Sequence, residues 1–84
     1  LVNAETANLQ KTAQAAAEQV AAVRVIERAR GLDSLPPALR EIAYLRLEHP
    51  DVSLRELGDL AEPQLSKSAV YHRIRRLEEL ASDG

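Results

Sequence analysis

The sequence predicts an all-α protein, a long N-terminal helix followed by a small helical bundle that contains a helix-turn-helix. Three observations carry that prediction. From Ala4 to Arg30 there is neither glycine nor proline and there are nine alanines, so nothing breaks a helix and much favours one. Ser53 precedes Glu56 by three positions, the spacing of a capping box that opens a helix. Beyond a proline-bearing turn, Val70, Ile74, Leu77 and Ala81 recur at intervals of four, three and four, the period of a helix with one buried face.

The chain has 84 residues, of which 45% are hydrophobic and 29% charged, ordinary values for one globular domain with a small core. No apolar run reaches the roughly 18 residues of a membrane span, and no basic start with an apolar centre marks a signal peptide. A cytoplasmic protein is expected. Without cysteine the chain has neither disulfides nor thiolate ligands, so burial must stabilise it. It starts at Leu1 and has no methionine, from which a fragment of a longer protein is expected. The formal net charge is −2, yet Ser66 to Arg76 holds four cations and no acid, whereas the remainder holds seven cations and thirteen acids. The positive charge is local, and such polarity orients a protein on a polyanion.

In order along the chain, Asn3 is the expected N-cap of the first helix. Leu9, Ala13, Ala16, Val20 and Val23 form its packing stripe, widened by Val25 and Ile26. Arg24, Arg28 and Arg30 suit the negative end of the helix dipole, and Gly31 supplies a left-handed stop. Twenty-seven helical residues would extend roughly 40 Å, so part of this helix is expected to project. Residues 1–31 read either as the first helix of the bundle or as a linker helix that spaces the domain from a neighbour or a second copy, and 32–84 as the helix-turn-helix domain proper. Ser34 is the candidate cap of a second helix, with Pro36 and Pro37 tolerated in its first turn. Leu39, Ile42, Ala43, Leu45 and Leu47 give it an apolar face. It reads to Glu48, where His49 and Pro50 end it. Tyr44 fits either core or surface.

The third helix opens at Ser53 and turns Leu54, Leu57 and Leu60 inward. Gly58 sits where a helix-turn-helix needs a small residue for close crossing; a mid-helix glycine costs about 1 kcal/mol relative to alanine, which calls for a packing reason. Ala61 to Leu65 is the turn, with Leu65 as its apolar plug, and Gly58 to Ser66 is about two residues longer than the tight version of the motif. Ser66 caps the fourth helix, and Ser82 to Gly84 is expected to fray.

The inward stripe of the fourth helix turns Lys67, Ser68, Tyr71, His72 and Arg75 outward as one face. Lysine and arginine donate to phosphate oxygens and to guanine O6 and N7, and serine, tyrosine and histidine bond to phosphates or base edges. Those five are the candidate base or near-base contacts in a major groove, because the first half of a recognition helix reads bases. Ser66, Arg73 and Arg76 are the candidate backbone contacts, with Ser53 and Arg55 as secondary phosphate candidates. Contact is expected to end near Arg76, since Glu78 and Glu79 repel phosphate. The expected partner is double-stranded DNA.

Three segments also carry a resemblance. LVNAETANL, GLDSLPPALREIAYLRLEHPDVSLRELG and LSKSAVYHRIRRLEELA resemble the C-terminal domain of the WhiA sporulation-type transcriptional regulators of Gram-positive bacteria over almost the full length. Leu35 to Leu80 is also similar to region 4 of sigma factors, a promoter-binding helix-turn-helix. The resemblance implies a preceding domain like a LAGLIDADG homing endonuclease without cleavage activity, and a whole protein that regulates sporulation and cell-division genes in the nucleoid. It further implies RNA polymerase holoenzyme and a WhiB-type iron-sulfur protein as partners, with no cofactor in this chain.

Two other function classes compete. A protein-interaction module would dock the alanine-rich helix on a transcription partner or a second copy. An enzyme is not expected, because no nucleophile, metal-ligand or phosphate-cradle spacing is present, and Ser66 and His72, six apart on one helix, cannot form a dyad.

Overall fold

The first helix, α1, runs Ala4–Ala29 in the computed structural model, which describes the backbone of residues 4–83 and the side chains of residues 14–82. The expected cap at Asn3 and the stripe side chains Leu9 and Ala13 lie outside those residues. Ala16, Val23 and Ile26 are buried and Val20 is partly so, whereas Val25 is 46% exposed. Ile26 therefore belongs to the stripe and Val25 does not. A residue next to Ile26 is turned about 100° from it on a helix of 3.6 residues per turn. Gly31 ends the helix with φ 78°, and its N–H donates to the Ile26 and Glu27 carbonyls, both at 3.1 Å. Its ψ of 145° sends the chain out extended rather than through the left-handed helical conformation.

Ser34 does not cap the second helix. It closes a 3-10 turn, Leu32–Ser34, in which its Oγ donates to the Gly31 carbonyl at 2.7 Å and accepts from Arg30 Nε at 2.9 Å. The second helix, α2, spans Pro37–Glu48 with Pro36 at its N-cap. Pro37 at the first helical position has no N–H to satisfy and its φ suits a helix, so the end stands without a side-chain cap. His49 is the C-cap, as the sequence indicates. Tyr44 lies at the surface, 42% exposed, its hydroxyl donating to Asp33 Oδ1 at 3.2 Å.

Ser53 caps α3, Leu54–Leu60, its Oγ accepting from the Glu56 N–H at 3.2 Å. The Glu56 carboxylate meets the same hydroxyl, Oε1 at 3.4 Å from Oγ. Ser53→Ala removes this cap and is expected to lower stability by about 1 kcal/mol, measured as the shift in a urea unfolding midpoint. Leu57 is fully buried and Leu54 packs against the core, but Leu60 is 44% exposed. A step of three falls 60° short of a full turn, so a second step of three rotates off the buried face; Gly58 and Ala61 occupy it instead.

The turn from Ala61 to Ser66 contains a cis Glu62–Pro63 peptide bond, and Leu65 packs partly buried against the core. The last helix, α4, runs Lys67–Asp83, so Ser82 and Asp83 continue the helix where fraying was expected, and Gly84 lies outside the described residues. Ser66 caps it, accepting from the Ala69 N–H at 3.1 Å. Val70, Ile74 and Leu77 are at most 2% exposed. Burying each such side chain contributes about 1.5–3 kcal/mol. α4 packs against α1, α2 and α3 together, so one core made of Val23, Ile26, Leu32, Leu35, Ile42, Ala43, Leu57, Val70, Ile74 and Leu77 serves all four helices.

Candidate nucleic-acid interface

Burying Val70, Ile74 and Leu77 fixes the rotation of α4 and so determines what it offers to solvent. Lys67, Ser68, Tyr71, His72 and Arg75 are all exposed, Tyr71 by 49%, and the Tyr71 and His72 rings meet edge to face with centroids 5.7 Å apart. Arg76 is exposed on the flank of that face. Arg73 is half-buried and turns toward α2, in a groove also lined by Pro37, Glu41 and Glu62. The two flanking arginines therefore differ: Arg76 stands exposed on the flank, whereas Arg73 is packed into a groove beside α2.

Gly58 fixes how α3 meets the turn and α4. A Cβ built on it would overlap the Leu65 carbonyl oxygen and stand 3.3 Å from Val70 Cγ2. The Leu65 N–H donates back to the Gly58 carbonyl at 2.9 Å, so helix and turn touch backbone to backbone. This close approach brings the starts of α3 and α4 to one concavity, lined by Ser53, Leu54 and Lys67 together with Gln19 and Arg46. Ser53 and Lys67, separate in sequence, are thus neighbours on the surface. Arg55 is exposed on the first turn of α3, and Ser66 on the N-terminal side of the α4 face.

Two features of this surface go beyond the exposed face. Arg46 is buried to 1% exposure behind the concavity, Nη1 donating to Gln19 Oε1 at 2.9 Å and Nη2 to the His49 carbonyl at 2.8 Å and to the Val52 carbonyl. It ties α1, the end of α2 and the lead into α3 together. Its place on the Ile42 stripe, one turn on, was the available signal, but a charged residue there is ordinarily read as surface. Second, Arg75 and Arg76 are paired with acids on their own helix, Arg75 Nη1 standing 3.8 Å from Glu78 Oε1 and Arg76 Nη1 donating to Glu79 Oε2 at 3.2 Å. Among the described residues there is no group of histidine and carboxylate side chains placed to hold a metal ion, and no helix long and apolar enough to cross a membrane.

A capped short helix, a backbone-close turn at a glycine and a capped second helix with an exposed cationic face define a helix-turn-helix domain. Residues 1–81 match the family model of the WhiA C-terminal HTH domain, and the chain belongs to that family. It is 52% identical over 83 residues to a Clostridium botulinum protein named "Probable cell division protein WhiA", covering 99% of this chain and 26% of that protein. The protein of the same name from Desulforudis audaxviator is 54% identical over 81 residues, covering 96% of this chain and 26% of the relative. The crystal structure of full-length DUF199/WhiA from Thermatoga maritima superposes with a TM-score of 0.85 at 32% identity, over 99% of this chain and 31% of that one. The chain thus spans about a quarter of the length of the curated relatives it matches.

Proposed function

We propose that this chain is the sequence-specific DNA-binding module of a transcriptional regulator, with α4 lying in the major groove. The single observation that carries this reading is the joint exposure of Lys67, Ser68, Tyr71, His72 and Arg75 on the helix that follows the turn, opposite a fully buried stripe. Lys67, Ser68, Tyr71, His72 and Arg75 meet bases or the groove edge, whereas Ser66, Arg73 and Arg76 meet the backbone. Ser53 and Arg55 add phosphate contacts from the start of α3. Family membership supports the extension to promoters of sporulation and cell-division genes, with RNA polymerase holoenzyme and a WhiB-type iron-sulfur protein as partners of the whole protein. Residues 1–31 then link the reading domain, 32–84, to the preceding part of that protein, with the last turns of α1 packing Val23 and Ile26 into the domain's own core, and the whole works in the cytoplasm at the nucleoid.

A mobility-shift titration tests it. Arg75→Ala is expected to weaken binding to a selected site by about 1–3 kcal/mol, and Lys67→Ala to weaken it as well. With four or five phosphates neutralised, log affinity should fall against log salt with a slope of roughly −3.5 to −4.5. Binding that ignores salt, or that both variants leave unchanged, would defeat the assignment. The competing reading, docking of α1 on a protein partner or a second copy, draws on the 46% exposure of Val25 on the outer face of α1. An obligate dimer in ultracentrifugation with no salt-sensitive DNA binding would favour that alternative.

A further inference from the structure

The acids that close the cationic run do more than mark its end. Arg75 and Arg76 are the last two cations of α4, and each reaches one turn forward to a carboxylate, Arg75 to Glu78 and Arg76 to Glu79. All four side chains keep substantial access to water, from 31% for Glu78 to 59% for Arg76. Exposed pairs of this kind contribute little to folding, so stability gives little reason for two in succession. Their position gives a better one. Arg75 lies on the outward face of α4 and Arg76 beside it, so any phosphate or base edge that takes these guanidinium groups competes with a carboxylate already there. Lys67, at the other end of the face, is paired with no acid among the described residues and faces no such competition.

We infer that Glu78 and Glu79 are an intrahelical brake on DNA binding, holding Arg75 and Arg76 in the free protein and giving them up only where the duplex offers a better partner. This rests on the DNA-binding reading above and names its regulation. From Ser66 to Ser82, α4 and its cap carry four cations and two acids. When DNA displaces the carboxylates, the freed acids remain near the phosphates and take up cations, which offsets part of the counterion release that drives association. The offset is the same for every sequence. It lowers specific and non-specific affinity by the same factor, and a site that offers Arg75 a bidentate guanine has the surplus to stay occupied where a random phosphate array does not.

The experiment compares the 84-residue chain with Glu78→Gln, Glu79→Gln, the double variant, Arg75→Ala and Arg75→Ala/Glu78→Gln. Binding to a mixed-sequence DNA duplex is measured across a salt series, with circular dichroism melting as the check on folding. The double glutamine variant is expected to bind about 10-fold more tightly at ~0.1 M salt, with a salt slope steeper by roughly 1–2. Glu78→Gln should gain several-fold in the parent chain and markedly less once Arg75 is alanine. Unchanged affinity in the glutamine variants of a chain that does bind DNA overturns the brake and leaves the DNA-binding reading standing. An equal gain from Glu78→Gln with and without Arg75 also overturns it, since the acid would then act through its field alone. If no variant and no parent chain binds the duplex in a salt-sensitive way, the DNA-binding reading falls and the brake with it.

Discussion

Gly58→Ala lowers the stability of this domain by about 2–3 kcal/mol, although alanine is the better helix former by about 1 kcal/mol. The sign is decided by what the new methyl group meets. It overlaps the Leu65 carbonyl oxygen, stands 3.1 Å from the Leu65 carbonyl carbon and 3.3 Å from Val70 Cγ2. Val70 can adjust by a few tenths of an ångström, but the carbonyl is backbone and has no rotamer to leave by. Moving it outward stretches the bond from the Leu65 N–H to the Gly58 carbonyl, 2.9 Å in the native chain, and displaces the turn that leads to Ser66. The same step costs function, because it shifts the start of α4 relative to α3 and separates Lys67 from Ser53. A urea titration followed by circular dichroism reads the stability loss. A variant as stable as the parent, or more stable, would mean that propensity outweighs the close approach and that Gly58 does not set the crossing.

The sequence is a good guide wherever one residue's chemistry decides the local geometry. Ser53 and Ser66 cap helices because a hydroxyl two or three positions before free N–H groups has few better uses, and Gly58 stands out because a mid-helix glycine needs a reason. The period of Val70, Ile74 and Leu77 fixes the rotation of α4 and with it the exposed face. Legibility fails where two neighbours compete for one group. Ser34 looks like a cap for α2, but the Gly31 carbonyl and Arg30 are nearer partners for its hydroxyl. Leu60 looks inward by a count of threes, yet the helix turns it out and gives its place to Ala61. Glu78 and Glu79 read as acids that end the phosphate contact, and the helix shows them paired with Arg75 and Arg76 as well. Arg73 looks like a flank cation of the same kind as Arg76, and the packing of α2 beside it makes the two unequal.

Arg46→Ala has the largest expected effect, a loss of about 3–5 kcal/mol from the cavity it opens and the acceptors it orphans. A chain of 84 residues has only some 4–12 kcal/mol of stability in total, so this variant sits near the edge of folding. The native guanidinium is buried at 1% exposure, and no carboxylate is among its hydrogen-bond partners. Burial lowers its pKa, Asp51 acting weakly the other way, and its Nε has no partner among the described residues. Its three acceptors nevertheless depend on it: Gln19 Oε1 on α1, the His49 carbonyl at the end of α2 and the Val52 carbonyl just before the α3 cap. Alanine leaves all three short of a donor and opens a cavity as well. Arg46→Met separates these costs. It refills most of the volume and removes the desolvated charge, so it should lose only about 1–3 kcal/mol, the cost of the orphaned acceptors. Arg46→Lys keeps the charge without the planar fork that spans two carbonyls and Gln19, and should fall closer to alanine than to the parent. The pH dependence follows from the direction of the shift. A base whose pKa is lowered on folding releases its proton before the unfolded chain does, so stability rises with pH only near that high pKa. Across about pH 5–9 both states stay protonated, and the loss in all three variants should be flat. Equal stability of Arg46→Ala and the parent would show that the bonds to Gln19, His49 and Val52 do not tie α1 and α2 to the start of α3.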